Sequence, residues 1–348
     1  MNSWNIPEKA ARLHADALVW DNIFPYFDFY FFSQTMSGAQ AGLFDPKYAT
    51  LKQYRESGCS CLGLTIAGAR SNVAETMRII ASNRSFLRAH ADDYTIVTCA
   101  DHVLEAKKAG KMAVTFNFQG SDSLEGNIDM VHLYHELGVR QMLLCYNVRN
   151  AAGSGCHENV DDGLSQFGRA VVKEMNTLGM VVDASHTGYR TAMDILEVSQ
   201  APVIFSHSNP ARLQAHPRNI TDDQIKACAQ SGGVIGVVGF DGFLPGKKAQ
   251  VSAAIETIDY LAETAGVDHV GLGLDWVYCD AMFRQALLAN TSAYPTGKNG
   301  DYSTPAEFLG PSALPQITAG LLSRGYKESD IRKILGQNWL RVAANVWG

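Results

Sequence analysis

Short apolar runs recur along the chain, and each interval between them is long enough for a helix. Such runs, bounded by polar residues or glycine, are typical of parallel strands that are buried on both faces. Eight of them with helical segments between predict an α/β fold, a (β/α)8 TIM barrel rather than an open sheet. The runs are Ala17–Trp20, Cys61–Ile66, Ala113–Phe118, Met142–Cys145, Met180–Val182, Val203–Phe205, Val234–Val238 and Val270–Leu274.

Three local patterns predict where helices begin or end. Thr221 to Gln224 has the spacing of a capping box, and Thr304 to Glu307 has the same spacing with a proline at the first helical position. The stretch Ser165–Leu178 is apolar on one face and is followed by Gly179, a residue that commonly ends helices. We therefore expect helices in all three places.

The length and composition fit one large core. The chain has 348 residues, of which 46% are hydrophobic and 18% charged, with a net charge of −6. We expect a single barrel domain over residues 1–348, with long loops at about 24–46 and 278–315. The negative charge argues against a nucleic-acid or anionic-membrane surface.

The expected compartment is the cytoplasm. The seven cysteines are an odd number without regular spacing, which favours reduced thiols. The first residues lack the apolar segment of a signal peptide, and no apolar stretch reaches the roughly 20 residues of a membrane span. The sequence predicts no membrane partner.

Polar residues follow several of the predicted strands, at the end of the barrel where active sites of this fold lie. His186 and His207 come after two adjacent strands, so the sequence predicts a metal site with both imidazoles as ligands. Asp275 follows the last strand and could be either an acid/base group or a buried partner for a basic residue. Arg218 could bind a substrate carboxylate or form a surface ion pair.

Six segments resemble the membrane (renal) dipeptidase family of metallopeptidases, in the same order and over nearly the whole chain. They are Asp183–Thr187, Ala201–Ser208, His216–Asn219, Gly232–Val237, His269–Asp275 and Leu335–Val342.

The resemblance implies a barrel of the amidohydrolase-like, metal-dependent hydrolase type that cleaves dipeptides with two zinc ions bridged by a glutamate. His186 and His207 match the histidines of one metal site, and Arg218 matches the arginine that holds the substrate's carboxylate. Asp275 matches the aspartate that handles the proton of the attacking water. Tyr146 stands at the place of a substrate-contacting histidine, so we expect a catalytic role for it. Asn147 and Arg149 follow in the same run, and we expect them to bind substrate.

The sequence departs from the family at the other metal site. The His-x-Asp that normally follows the first strand is replaced by Ile23 and Pro25, and the bridging glutamate is replaced by Gln119. Neither Ile23 nor Pro25 can ligate through its side chain, and an amide is a poorer ligand for zinc than a carboxylate. We therefore expect one divalent ion, most readily zinc, held by His186, His207 and Gln119.

Three functions stay open on the sequence alone. The first is a dipeptidase-like metallohydrolase of a dipeptide or small amide of an amino acid, working with one ion. The second keeps the barrel but carries out proton transfer, lyase or redox chemistry on an amino-acid-derived molecule, with or without a metal. The third is an inactive binding protein. In each case the partner is a small molecule, and a homodimer is expected from the resemblance.

Overall fold

A parallel sheet of nine strands lies at the centre of the computed structural model, which describes residues 3–25, 46–277, 287, 290–295, 302 and 306–347. The strands are buried on both faces over most of their length, as their apolar composition requires. In chain order they are β1 Trp20–Phe24, β2 Cys61–Ala67, β3 Tyr94–Ile96, β4 Met112–Phe118, β5 Val139–Leu143, β6 Val181–Asp183, β7 Val203–Ile204, β8 Ile235–Val237 and β9 Val270–Leu272.

Eight of the strands form the ring of a barrel, and the predicted fold class is confirmed. Their order is β7-β6-β5-β4-β2-β1-β9-β8, with every pair parallel, while β3 lies off this path beside β4. The ring closes between β7 and β8 through Phe205, which follows β7. Its N–H donates to the carbonyl of Val234 at 3.0 Å, and its carbonyl accepts from the N–H of Gly236 at 2.8 Å.

Two predicted strands need different bounds, and one strand was missed. The run placed at Met142–Cys145 belongs to β5, which spans Val139–Leu143. The first run was placed at Ala17–Trp20, but β1 spans Trp20–Phe24, so Asp21 and Asn22 lie within the strand and not after it. Asp21 pairs with Leu272 of β9 and with Leu62 of β2, and this pairing keeps the polar residues in the sheet. The strand β3 was missed because Tyr94–Ile96 is short and only partly buried, and so gives no apolar run.

Helices surround the barrel, and their described bounds are α1 Glu8–Asp16, α2 Pro46–Glu56, α3 Val73–Ala89, α4 Ala100–Lys108, α5 Asp129–Glu136, α6 Gln166–Leu178, α7 Tyr189–Val198, α8 Asp222–Gln230, α9 Val251–Ala265, α10 Ala313–Ser323, α11 Glu328–Arg332 and α12 Asn338–Val346. Short 3-10 turns lie at Asp122–Leu124, Asp241–Phe243, Pro245–Lys247 and Val267–His269, and a π-helical turn, Lys333–Gln337, joins α11 to α12.

Two of the three helix predictions are confirmed. Thr221 accepts from the N–H of Gln224 and completes a capping box at the start of α8. Ser165 caps α6 by accepting from the N–H of Gly168, and Gly179 ends that helix in the left-handed conformation at φ 75°. Both caps satisfy backbone groups that a helix end would otherwise leave without partners.

The third helix prediction is wrong. Thr304 and Pro305 lie outside the described residues, but Ala306 and Glu307 are not helical. Phe308 instead forms a β-bridge with Phe240, and the carbonyl of Glu307 accepts from Asp241. The next helix, α10, begins only at Ala313, still within the loop predicted for 278–315. Most of that loop and of the loop predicted for 24–46 lies outside the described residues.

The amino-terminal end of the barrel is closed by α12. Trp339 lies in an apolar cluster with Trp20, Cys61 and Val234, near the starts of the strands. Its indole N–H donates to the carbonyl of Leu272 at 3.1 Å. A Cβ on Gly271 would come within 2.6 Å of this ring, so the packing requires glycine there. The carboxyl ends of the strands are left to form the site.

Within the described residues, no helix is both long enough and apolar enough to cross a lipid bilayer.

Candidate active site

Two buried imidazoles face each other at the carboxyl ends of β6 and β7. The Nε2 atoms of His186 and His207 lie 2.8 Å apart, and the two residues are 5% and 0% exposed. Each histidine is the third residue after its strand, so neighbouring strands bring them together. The predicted pairing of His186 with His207 is therefore present in the fold.

The other ring nitrogen of His186 is held by Asn147. The Asn147 side-chain N–H groups donate to the carbonyl of Ala293 at 2.9 Å and to the hydroxyl of Tyr302 at 3.3 Å. Its oxygen therefore faces His186 Nδ1, at 2.6 Å. An amide oxygen can only accept, so Nδ1 of His186 carries the proton.

His207 is fixed in the same tautomer by a different group. Its Nδ1 lies 2.6 Å from the hydroxyl oxygen of Ser206, and that hydroxyl donates to the carboxylate of Asp183. A hydroxyl has one proton to give, so Nδ1 of His207 must donate to it. Both histidines then present an unprotonated Nε2 to the space between them.

Two lone pairs that face each other at this distance repel unless a proton or a cation lies between them. Burial lowers the pKa of both imidazoles well below their ordinary value, and the charge of Arg218 lowers it further. Neutral imidazoles that are oriented through Nδ1 suit zinc and similar divalent ions. The donor set therefore fits a metal, although no cluster of three or more His, Cys, Asp or Glu ligands lies within the described ranges.

Asp275 lies beside this pair. Its Oδ2 is 3.9 Å from Nε2 of His207, and its side chain is 17% exposed. Asp275 and His186 both adopt positive φ, at 54° and 64°, which only four other non-glycine residues of the described chain share. Such backbone is unfavourable for ordinary side chains and often occurs at functional sites. At His186, the turn is closed by Thr187, whose N–H and hydroxyl both donate to Ala184.

Arg218 is a buried cation next to the histidines. It is 2% exposed, and its guanidinium donates to Ser208 Oγ at 2.8 Å and to the carbonyl of His207. Over the part of the chain that the structure describes, no carboxylate forms an ion pair with it and its Nε has no hydrogen-bond partner. A buried charge of this kind is costly without a counter-ion. This environment favours an anionic ligand.

A cavity of about 300 Å³ opens beside these groups. Arg218 and His186 both line it, together with Cys156, Thr187 and His216. The cavity therefore joins a buried positive charge to one of the two candidate metal ligands. Its volume is at the lower end for small-molecule sites.

Tyr146 stacks on the outer face of the site. Its ring lies nearly parallel to that of His186, with centroids 3.9 Å apart. Its hydroxyl accepts from the hydroxyl of Tyr294 at 3.1 Å. Burial raises the pKa of Tyr146 well above its usual value, so near neutral pH it can donate a hydrogen bond but cannot act as a base.

Three other predicted site residues have different contacts. Gln119 is buried, and its amide donates to Thr65 at 3.3 Å. The side chain of Asn147 is hydrogen-bonded to Ala293, Tyr302 and His186, and it holds the imidazole of His186 in place. Arg149 is exposed and pairs with Asp162 at 2.8 Å. The metal role of Gln119 and the substrate roles of Asn147 and Arg149 stay predictions.

The end of the first strand is apolar and closed to solvent. Ile23, which the resemblance places at a ligand position, and Phe24 are both fully buried. Asp21 is buried too, and its Oδ1 accepts from the backbone N–H of Leu274 at 2.8 Å, next to Asp275. Desolvation raises the pKa of Asp21 to about 7.

Sequence reasoning missed several residues that support the site. Asp183 and Ser206 were noticed only as parts of motifs. His157 gave no signal in the sequence, but it is partly buried and lies 2.7 Å from the hydroxyl of Tyr302. His14, away from the site, is fully buried between Thr318 and the carbonyl of Ser57. A signal for Asp183 and Ser206 was present in the sequence. Both are polar residues at the ends of predicted strands, and each lies shortly before a motif histidine.

The model of the family described as Membrane dipeptidase (Peptidase family M19) matches residues 37–296 and 297–347. The chain belongs to this family. The predicted relationship to dipeptidase-like metallohydrolases is thereby confirmed, and the fold agrees with it.

Two curated relatives that the chain resembles are named as dipeptidases. It is 36% identical over 212 residues to an uncharacterized dipeptidase of Schizosaccharomyces pombe, which covers 59% of this chain and 51% of the relative. It is 30% identical over 281 residues to the dipeptidase tcpJ of Claviceps purpurea, and this match covers 79% of this chain and 61% of the relative. The chain thus matches only about half to three fifths of the length of these relatives.

Solved structures match over almost the full chain. An amidohydrolase of Pseudomonas aeruginosa superposes with a TM-score of 0.82 at 29% identity, covering 97% of this chain and 99% of the other. A metallopeptidase of Rhodobacter sphaeroides, solved with a phosphinate mimic of the dipeptide L-Ala-D-Ala, gives a TM-score of 0.76 at 20% identity, covering 95% and 100%. The second likeness supports the fold alone.

Proposed function

We propose that this protein is a metal-dependent hydrolase of a dipeptide or of a small amide of an amino acid. The observation that carries the proposal is the pair of Nε2 atoms, 2.8 Å apart, with both Nδ1 protons directed to acceptors. His186 and His207 would hold a divalent cation, most readily zinc. Such an ion polarises an amide carbonyl and makes water more acidic.

The substrate class follows from Arg218. A guanidinium that is buried beside the histidines, with a side-chain hydroxyl and a carbonyl as its contacts, suits a carboxylate. The cavity of about 300 Å³ that Arg218 shares with His186 has room for a small ligand that carries a carboxylate at one end. A dipeptide places its scissile amide one residue away from that carboxylate.

Asp275 and Tyr146 would act on the amide. Asp275 Oδ2 lies 3.9 Å from His207 Nε2, close enough to accept the proton of an attacking water and pass it to the leaving amine. Tyr146 stays protonated and would donate a hydrogen bond to an oxygen in the transition state. The strained backbone at His186 and Asp275 holds both side chains in place before substrate binds.

We propose one ion per chain. The positions that supply the second site in relatives are occupied here by Ile23 and Pro25, and Gln119 donates its amide to Thr65. A neutral amide does not offset the charge of two adjacent cations as a carboxylate does. Hydrolysis with one ion depends correspondingly more on Asp275.

Metal content and turnover test the proposal together. Elemental analysis is made on protein purified without chelator and then reloaded with zinc, for the wild type, for His186→Ala with His207→Ala, and for His132→Ala. His132 is exposed on α5 and is the matched control. We expect about one ion per chain in the wild type and the control, and loss of that ion in the double variant.

Turnover is measured on L-Ala-L-Ala, L-Ala-D-Ala and N-acetyl-alanine. Hydrolysis that requires the ion and disappears in the double variant supports the proposal. Two ions per chain would contradict the one-ion site. No ion, after incubation with zinc, iron and manganese, would rule out the hydrolase and favour proton transfer, lyase or binding roles for the same pocket.

The homodimer, the cytoplasmic location and the lack of a nucleic-acid partner stay predictions from the sequence. Sedimentation at several concentrations tests the first of them.

A further inference from the structure

A chain of hydrogen bonds crosses the barrel interior and ends at one of the two histidines. The side-chain amide of Asn22, on β1, donates to Gln141 Oε1 on β5 at 3.0 Å. Gln141 Nε2 donates in turn to Asp183 Oδ2, at the end of β6, at 3.1 Å. Ser206 donates to the same oxygen and accepts from His207 Nδ1 at 2.6 Å. Every donor and acceptor in this chain is assigned.

Asp183 is the residue of this hydrogen-bond series that carries a charge. Its carboxylate is 1% exposed and accepts from the N–H of Ser185 at 2.9 Å and of Ser206 at 3.1 Å, as well as from Gln141 and the Ser206 hydroxyl. Within the described ranges it forms no ion pair. Neutral donors hold its charge in place, so the charge polarises the Ser206 hydroxyl and, through it, His207.

The position of Ser206 is fixed by close packing. A Cβ on Gly236 would lie 2.0 Å from the carbonyl of Ser206, and one on Gly273 would lie 1.9 Å from it. Gly236 lies in β8 and Gly273 directly follows β9, so the backbone of these two neighbouring strands packs closely against the backbone of Ser206. The Ser206 hydroxyl lies between Asp183 and His207 and bonds to both.

We propose that Ser206 and Asp183 are positioning residues that hold His207 with Nε2 as its ligand atom and strengthen that atom as a donor to a divalent cation. This inference rests on the proposed function. A carboxylate that orients a metal-binding imidazole usually contacts it directly. Here a serine hydroxyl is inserted between them, so removing the hydroxyl breaks the bond to His207 and the bond to Asp183 together.

Ser185 provides a matched control. It occupies the corresponding place after β6, and like Ser206 it is fully buried. Its hydroxyl lies 3.3 Å from Ser206 Oγ and accepts from the backbone N–H of His207 at 3.3 Å. The contacts of this hydroxyl do not include an imidazole nitrogen or the carboxylate of Asp183. Loss of this hydroxyl tests burial, packing and the bond to the His207 backbone, and leaves the link from Asp183 through Ser206 to the His207 imidazole in place.

The experiment measures the zinc affinity of metal-depleted protein by competition with a chromophoric chelator. It uses the wild type and the variants Ser206→Ala, Ser206→Thr, Asp183→Asn and Ser185→Ala. Mutation of a residue that orients a metal-binding histidine typically lowers metal affinity about 10- to 100-fold. We expect a loss in that range for Ser206→Ala and Asp183→Asn, and less than about threefold for Ser206→Thr and Ser185→Ala.

The visible spectrum of the cobalt-loaded proteins is a second readout, because it reports the ligand field and not stability. We expect Ser206→Ala to change it and Ser185→Ala to leave it as in the wild type. Thermal unfolding of the metal-free proteins shows whether each variant folds. Should Ser206→Ala not fold, Asp183→Asn tests the same link with little change of shape.

Wild-type affinity in Ser206→Ala and Asp183→Asn would overturn the inference. Equal losses in Ser206→Ala, Ser206→Thr and Ser185→Ala would also overturn it, because they would indicate packing alone. A wild-type protein that binds neither zinc nor cobalt would overturn the proposed function itself, and with it this role for Ser206. The two failures are therefore distinguishable.

Discussion

The carboxylate of Asp21 accepts a hydrogen bond from the backbone N–H of Leu274 at 2.8 Å, across 253 residues of sequence. It thereby ties β1 to the residue before Asp275, beyond the point where the regular pairing of β1 with β9 ends at Leu272. Asp21 is fully buried, and desolvation raises its pKa from 3.8 to about 7.

The raised pKa of Asp21 predicts a pH-dependent contribution to stability. Between about pH 4 and 7 the folded chain keeps a proton that the unfolded chain has lost, so this contribution falls as pH rises and is gone above about 7. Asp21→Asn stays neutral and keeps an oxygen for Leu274. We expect the free energy of unfolding of the wild type relative to Asp21→Asn to decrease from pH 4 to 8, by at most about 1.4 kcal/mol per pH unit.

Denaturant unfolding of both proteins with chelator present, at one-unit pH intervals, measures this difference. Tyr54 and Cys59 are the titratable neighbours of Asp21, and the pKa of each is raised by burial, so both stay neutral through this range. A difference that does not change with pH would mean that Asp21 is charged throughout.

His14 predicts the opposite pH dependence. Burial lowers its pKa from 6.5 to about 4. The unfolded imidazole therefore takes up a proton between these values while the folded one does not, so stability is present above about pH 6.5 and is lost as pH falls towards 4. His14→Gln removes this dependence and one or both bonds to Thr318 and Ser57, so we expect it to be about 1–3 kcal/mol less stable at pH 7.

The stability gap between wild type and His14→Gln should narrow as pH falls from 6.5 to 4. Thermal unfolding at several pH values in this interval measures it. His14 lies on α1, before the first strand, so metal content and substrate KM are expected to stay unchanged. A constant gap would show that the imidazole keeps its ordinary pKa.

Arg218→Met should weaken the binding of substrates that have a free carboxylate. Hydrogen bonds to a charged group contribute about 1.5–3 kcal/mol, so KM for a dipeptide should rise roughly 10- to 150-fold. KM for the same dipeptide with an amidated C-terminus should change little. A Lys at this position keeps the charge but loses the planar fork, and we expect an intermediate KM.

Steady-state kinetics on the free and amidated dipeptides separates these outcomes, with Arg324→Met as the control, because Arg324 is exposed and pairs with Asp259 of α9. An equal rise in KM for both substrates would indicate that Arg218 holds the fold of the loop and not the carboxylate.

Asp275→Asn should lower kcat without removing the metal. General acid–base groups typically contribute about 10²- to 10⁴-fold to the rate, and Asn keeps the size of the side chain but cannot take up a proton. We expect kcat to fall within that range while the zinc content stays near that of the wild type. A simultaneous loss of zinc would make Asp275 a ligand rather than a base.

Much of the fold and part of the site follow from local patterns. The apolar runs identified the barrel, because burial on both faces requires continuous hydrophobic strands. Thr221 and Gly179 marked helix ends because each bonds a backbone group within one turn of its helix. Thr221 uses its hydroxyl to accept from an N–H, and Gly179 uses its own N–H to donate to a carbonyl. His186 and His207 could be paired because equivalent strand ends of a barrel lie together. The family motifs pointed to the same two residues.

Other features depend on partners that are distant in sequence. Asn22 meets Gln141 across 119 residues of sequence, and Asp21 meets Leu274 across 253. Phe308 pairs with Phe240 where a local capping pattern predicted a helix. No local pattern predicts which distant residues form such bonds, because the pairing depends on strand register and on which side chains fill the barrel interior. The sequence by itself determined the barrel and its two histidines. Only the tertiary structure decided which nitrogen of each histidine faces the other, because that choice is made by Asn147 and by Ser206 with Asp183.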